Sequence, residues 1–153
     1  MQKFRLGTLL KLRAQERDAA AQDVMDAKSA IHKLESAKTD VLAENDRLNE
    51  FRKASSMGAV NMQAILDSQR FQMLLQAQVQ QLDEHLGKLR QELQRREAKL
   101  LLCQQGVKAL EKLRDQKVEQ WMASENKQQQ ERTDEWAGVR SANDIRTGSD
   151  PSR

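Results

Sequence analysis

The stretch LQAQVQQLDEHLGKLRQELQRREAKLLLCQQGVKAL, Leu75 to Leu110, decides the fold. Within it Leu75, Val79, Leu82, Leu86, Leu89, Leu93, Arg96, Leu100, Cys103, Val107 and Leu110 recur alternately four and three residues apart, and ten of these eleven are apolar. An apolar repeat of 3.5 residues on average keeps one stripe of a helix facing a partner and imposes a left-handed supercoil. Gly87 and Gly106 fall off the stripe, at positions expected to be exposed. Each costs about 1 kcal/mol relative to alanine, which a long seam absorbs. Glu84 with Lys88, and Glu92 with Arg96, are favourable pairs one helical turn apart.

Upstream the same period returns in weaker form. Leu6, Leu10, Arg13, Arg17, Ala20, Val24, Ala27, Ile31, Leu34, Lys38, Val41, Asn45, Leu48 and Arg52 hold the spacing, and nine of the fourteen are apolar. Between the stripes, Ala54-Ser55-Ser56-Met57-Gly58-Ala59 is the one good turn signal in the body of the chain. A turn this short joins antiparallel neighbours. The expectation is therefore an all-α fold: a long antiparallel two-helix coiled-coil hairpin over 1–137, with helices 4–53 and 60–136 and a turn at 54–59. Folding at Gly58 would place Leu34 beside the region of Leu82, and the second helix would overhang the first by about 25 residues at 1.5 Å per residue. That overhang, 113–137, carries Val118, Trp121, Met122 and Trp136 and is expected to await another protein. From Gly138 on, the Gly, Ser, Asn, Asp and Arg composition predicts a disordered tail over 138–153.

Composition agrees. Of 153 residues, 32% are charged, 3% aromatic and 38% in the apolar set, with six Gly and one Pro. That is too little aromatic bulk for an ordinary globular core, and too regular a period for a disordered chain. The single cysteine, Cys103, excludes an intramolecular disulfide framework and a thiolate-based zinc site. No run approaches 18 apolar residues, and the basic start Met1-Gln2-Lys3-Phe4-Arg5-Leu6 has no apolar run of signal-peptide length, so neither a membrane span nor a cleaved signal is expected.

Catalytic patterns are missing: the sequence has no HExxH, no glycine-rich phosphate loop and no GxSxG. A two-helix coiled coil also offers no concave pocket in which to desolvate a reacting group. No enzyme activity, cofactor or metal is expected, and His32 and His85, on the flanks of the seam, read as surface residues. Cys103 reads as a small seam side chain. Lys38, Asn45 and Arg52, at every second seam position (successive a positions of the heptad) near the turn, lower stability while fixing register. They read either as side chains snorkelling from a narrow interface or as a deliberate loosening of it.

Charge is uneven. Residues 1–17 hold five basic side chains against Glu16 alone, and residues 88–117 hold nine against four acidic ones, whereas residues 38–53 balance. In a hairpin the basic stretches lie together at the end away from the turn. They suit either solvent or an acidic protein cavity. Nucleic acid is not expected, because no stacking aromatics are interleaved with the charge. Near the turn, Phe51, Phe71, Met73 and Leu74 stand off the seam, and Phe71, Leu74 and Gln78 line one flank of the second helix. Such residues either widen the core or form a binding patch, and Gln72, Gln76 and Gln80 would suit its rim.

The residues also resemble a family. The opening Phe4-x-Leu6-x-x-Leu9-Leu10-x-Leu12-Arg13-x-x-Glu16, then Ala19-Ala20, is similar to the start of the flagellar export protein FliJ family. The likeness continues through Glu50-Phe51-Arg52, Met57-Gly58 and Arg70-Phe71-x-x-x-Leu75, then Lys108-Ala109-Leu110-Glu111-Lys112-Leu113-Arg114 and Asp134-Glu135-Trp136-Ala137-x-x-Arg140. The resemblance implies a non-enzymatic antiparallel coiled coil of the flagellar type III export apparatus. Such a protein inserts into the hexameric export ATPase, promotes its assembly, contacts the export gate membrane protein FlhA and escorts export chaperones. It would be cytoplasmic, held at the inner face of the membrane through other proteins, and monomeric when free. The family pattern places Phe51, Phe71 and Leu75 in the gate-binding patch, with Gln78 and Leu82 at equivalent spacing and Leu74 on the same flank. Likeness to a rotary-ATPase shaft, with the basic end, makes Arg13, Arg17, Arg96 and Arg114 the candidates for ATPase docking. An injectisome stalk shares this architecture, and a homodimeric cytoplasmic scaffold would show the same heptads.

Overall fold

The structure is a computed structural model that describes residues 2–55 and 61–148. It contains two long helices packed against each other, α1 (Gln2–Ser55) and α2 (Met62–Thr147), and no strand among the described residues. Two units divide the chain, Lys11–Gly106 and Met1–Leu10 with Val107–Arg153. Both helices pass from one unit into the other.

In the Lys11–Gly106 unit, cross-helix bonds define direction and register. Gln72 Nε2 donates to Asn49 Oδ1 at 2.8 Å, and Arg52 Nη1 to Gln72 Oε1 at 2.7 Å. Lys38 pairs with Asp83, Arg90 with Glu35 at 3.2 Å, and Arg96 Nη1 donates to the Asp23 carbonyl at 2.7 Å. As the α1 number falls the α2 number rises, so the helices are antiparallel and their pairing lies within one chain. Carrying the Asn49–Gln72 pairing along both helices puts Leu34 level with Gly87, five residues past the expected Leu82. The displacement has a local cause: Ser55, where α1 ends, is level with Leu66, so the first turn of α2 projects beyond α1. Gly58 was therefore the wrong point about which to fold the sequence.

The seam is the one the repeat describes. On α2, all eleven positions from Leu75 to Leu110 are buried or half-buried. On α1, Ala20, Val24, Ala27 and Ile31 form the buried part, while Leu34 to Arg52 hold the spacing but are half-buried. Leu86, 2% exposed, is the most enclosed side chain. One expected seam residue is misplaced. Arg13 is exposed and bonds Glu16 at 2.8 Å, and Ala14 is turned inward instead. The charged guanidinium keeps its hydration and its Glu16 partner by staying in solvent, and the small Ala14 packs inward without that cost.

Helix ends differ from expectation for reasons of capping. α2 starts at Met62, not 60, because Asn61 caps it: Asn61 Oδ1 accepts from the Gln63 amide at 3.1 Å, and the Asn61 carbonyl accepts from Ala64 at 3.1 Å. Of the expected turn, Ala54 and Ser55 complete α1, and residues 56–59 lie outside the described residues. α1 ends with Arg52 and Lys53 in its last turn, where cations favour the helix dipole. At the other end α2 continues through Gly138 to Thr147, past the expected end at 136. A single exposed glycine costs only about 1 kcal/mol, and no proline interrupts the helix before Pro151. Residues 138–147, expected in the tail, are thus helical, and the Gly148 amide closes the last turn on the Asp144 carbonyl at 3.0 Å. Residues 149–153 lie outside the described residues.

In the Met1–Leu10 and Val107–Arg153 unit, Val107 is buried and Leu6, Leu10 and Leu110 half-buried. From Lys112 to Gly148 every residue is exposed. Trp121 is 50% exposed and engaged in an interaction within the chain. Arg140 stacks over the Trp136 ring at 5.6 Å, one turn apart, which shields part of that indole.

Candidate interaction surfaces

An antiparallel pair of helices has two flanks, and the cross-helix bonds tell them apart. Asn49–Gln72, Lys38–Asp83 and Glu35–Arg90 occupy one flank of the Lys11–Gly106 unit. Helical rotation places Phe71, Leu74, Gln78, Gln81 and His85 on the other, spaced three and four residues apart on α2. Opposite them, Leu34 and Val41 of α1 join Gln78, Gln81, Leu82 and His85 in lining a shallow groove. The Asn49–Gln72 register also puts Phe51 level with Arg70, next to Phe71.

The six sequence-predicted gate residues therefore divide. Phe51, Phe71 (44% exposed), Leu74 (63% exposed) and Gln78 face solvent. Leu82 is half-buried and contributes to the groove. Leu75, 5% exposed, belongs to the seam and offers nothing to a partner while the helices stay paired. Sequence reading overlooked the α1 side, Leu34 and Val41, along with Gln81 and His85 on α2. The three-and-four spacing that continues from Phe71 to His85 was the signal that could have found the latter two.

The predicted ATPase-docking arginines are less uniform. Arg13 is exposed and paired with Glu16, and Arg17 is half-buried and paired with Asp18 at 3.0 Å. Arg96 is committed internally, bonding Glu92 at 3.1 Å as well as the Asp23 carbonyl. It acts as a clasp between α1 and α2, with little left for an external acid. Arg114 is exposed beside Asp115 and belongs to the other unit. These surface pairs are worth about 1 kcal/mol or less, so a strong external carboxylate can displace them.

Reactive groups do not converge anywhere on these surfaces. Among the described residues no group of His, Cys, Asp and Glu is placed to hold a metal ion, and no helix is long and apolar enough to cross a membrane. His32 and His85 are exposed, and Cys103 is half-buried in the seam. The arrangement can bind along its flanks and ends.

Neither the curated proteins nor the solved structures contain a significant match to this chain. The family model described as the flagellar FliJ protein matches residues 1–146, nearly the full length of the 153-residue chain. The chain belongs to the flagellar FliJ family, a family of non-catalytic components of the flagellar export apparatus.

Proposed function

We propose that this chain is the coiled-coil stalk of the flagellar type III export ATPase complex. It inserts into the hexameric export ATPase and promotes its assembly and activity. It couples that ring to the export gate protein FlhA, escorts export chaperones, and is held at the inner face of the cell membrane through these partners. The observation that supports the reading most is the groove flank. Phe51, Phe71 and Leu74 stand exposed beside a groove to which Gln78 and Leu82 contribute, on two helices already paired within one chain. An apolar strip rimmed by glutamine suits an apolar helical segment of a partner. For the ATPase, the accessible arginines Arg13, Arg17 and Arg114 are better candidates than Arg96, which the α1–α2 interface already uses.

The test has two arms. Full-length protein added to the cognate flagellar export ATPase should raise ATP hydrolysis, and absence of stimulation rejects the stalk reading. Phe71→Ala should weaken binding to the cytoplasmic part of FlhA by about 5- to 30-fold, as truncation of an interface aromatic does, while helicity stays unchanged. Unaltered affinity in a calorimetric titration rejects the gate assignment. A homodimeric scaffold is the less favoured reading because the seam is already closed within the chain, and light scattering at the chain mass separates the two. The flagellar family match favours the flagellum over an injectisome.

A further inference from the structure

Burial along the α1 side of the Lys11–Gly106 seam is not even. On α1, Ala20, Val24, Ala27 and Ile31 are buried, and Leu86 on α2 is 2% exposed. Towards the turn, no α1 seam residue from Leu34 to Arg52 is buried, and three of the six are polar: Lys38, Asn45 and Arg52. α2 does not share this gradient, since Ser68 and Leu75 are buried there while Leu89, Leu93 and Leu100 are half-buried, so the loosening lies in the polar α1 side of the seam. Lys38 and Arg52 each reach a partner at the edge of α2. Asn45 does not: its Oδ1 is shut away from solvent and accepts no hydrogen bond. A buried carbonyl without a donor costs about 1–3 kcal/mol relative to one left in water. That penalty disappears when the helices part at this level. Glycine plays no part, since no glycine lies in the α1 seam here.

We propose that the turn-proximal part of this unit, α1 from Lys38 to Ser55 with α2 from Met62 to Asp83, is a segment that opens separately, hinged at the level of Glu35 and Leu86 and released by Asn45. Local unfolding of low-stability elements below the global transition is a general property of proteins. Here it has a defined consequence. Opening uncovers Leu75 and Leu82, which the closed seam withholds wholly or in part. The Arg52–Gln72–Asn49 network sits on the turn side of Asn45 and holds the last turns together as a latch. The device rests on the fold alone and stands whether or not the gate assignment is right.

Hydrogen–deuterium exchange on the full-length protein reads this directly. Amides of residues 38–52 and 68–82 should exchange at least about 10-fold faster than those of 20–31 and 86–93, and the two fast segments should exchange together. Asn45→Leu should slow both fast segments about 10-fold and leave the slow ones unchanged. Asn45→Ala, which removes the carbonyl without adding bulk, should slow them in the same direction and guards against overpacking by leucine. Equal protection in the two halves overturns the proposal. So does an effect of both substitutions confined to α1 around residue 45, because a segment that opens as a unit must respond on α2 as well.

Discussion

Leu86→Ala removes the best enclosed side chain of the seam, and its cost can be set against a substitution of the same chemistry elsewhere on α2. Leu86 is 2% exposed, whereas Leu102 is 69% exposed and off the stripe. Full burial of a leucine side chain is worth about 1.5–3 kcal/mol, and truncation to alanine in a core costs about 2–5 kcal/mol, the upper part coming from a cavity that does not close. A two-helix seam has water along both flanks, so the gap at Leu86 is partly filled and the cost should fall near the lower end, about 2–3 kcal/mol. Leu102→Ala should change stability by less than about 0.5 kcal/mol, because it removes almost no buried area. Urea unfolding followed by circular dichroism at 222 nm, with slopes compared so that only the midpoint is interpreted, measures both. Equal losses at the two sites would refute the assignment of the stripe. A midpoint that rises with protein concentration would refute intrachain pairing.

Other substitutions probe the helix ends and the glycines. Gly87→Ala and Gly106→Ala should each stabilise by up to about 1 kcal/mol, because an added methyl group meets nothing within 4 Å at either site; a thermal melt with no gain would contradict this. Asn61→Ala should destabilise by about 1 kcal/mol through loss of the cap on the Gln63 amide, and Asn61→Asp should restore it. Gln72→Leu removes the hydrogen bonds to Asn49 and Arg52 together, so its cost should shrink in an Asn49→Ala background. Additive losses in that cycle would show that the network is not cooperative.

Much of the fold was legible because one physical signal, the 3.5-residue stripe from Leu75 to Leu110, is long and nearly free of polar interruption. What it could not supply was register. A seam of similar side chains tolerates sliding, and the bonds that fix it, Asn49 to Gln72 and Lys38 to Asp83, join residues whose partnership no local pattern announces. Heptad counting puts Arg13 in the seam without regard to side-chain chemistry, whereas the guanidinium stays in solvent with Glu16 and Ala14 takes the inward position. Asn61 was an overlooked start signal, and Gly138 was given too much weight as a stop. For the candidate site, the exposed aromatics Phe51 and Phe71 were readable as apolar residues off the stripe. Leu75 was not separable from them, since a seam leucine and a flank leucine look alike until the rotation of the helix is known. Leu34 and Val41 enter the groove only through the pairing of α1 with α2, which is tertiary information.

The central claim is that one chain doubles back on itself, and a distance within unit Lys11–Gly106 tests it most directly. Spin labels at Lys33→Cys and Lys88→Cys, both exposed, with Cys103→Ser removing the native thiol, sit nearly level across the two helices. Helix axes in contact lie about 8–10 Å apart, so pulsed dipolar spectroscopy should give a separation below about 30 Å that is unchanged on dilution with unlabelled protein. If the two positions lay on one uninterrupted helix they would be about 80 Å apart at 1.5 Å per residue. A distance in that range, or a short one that vanishes on dilution, would contradict the hairpin.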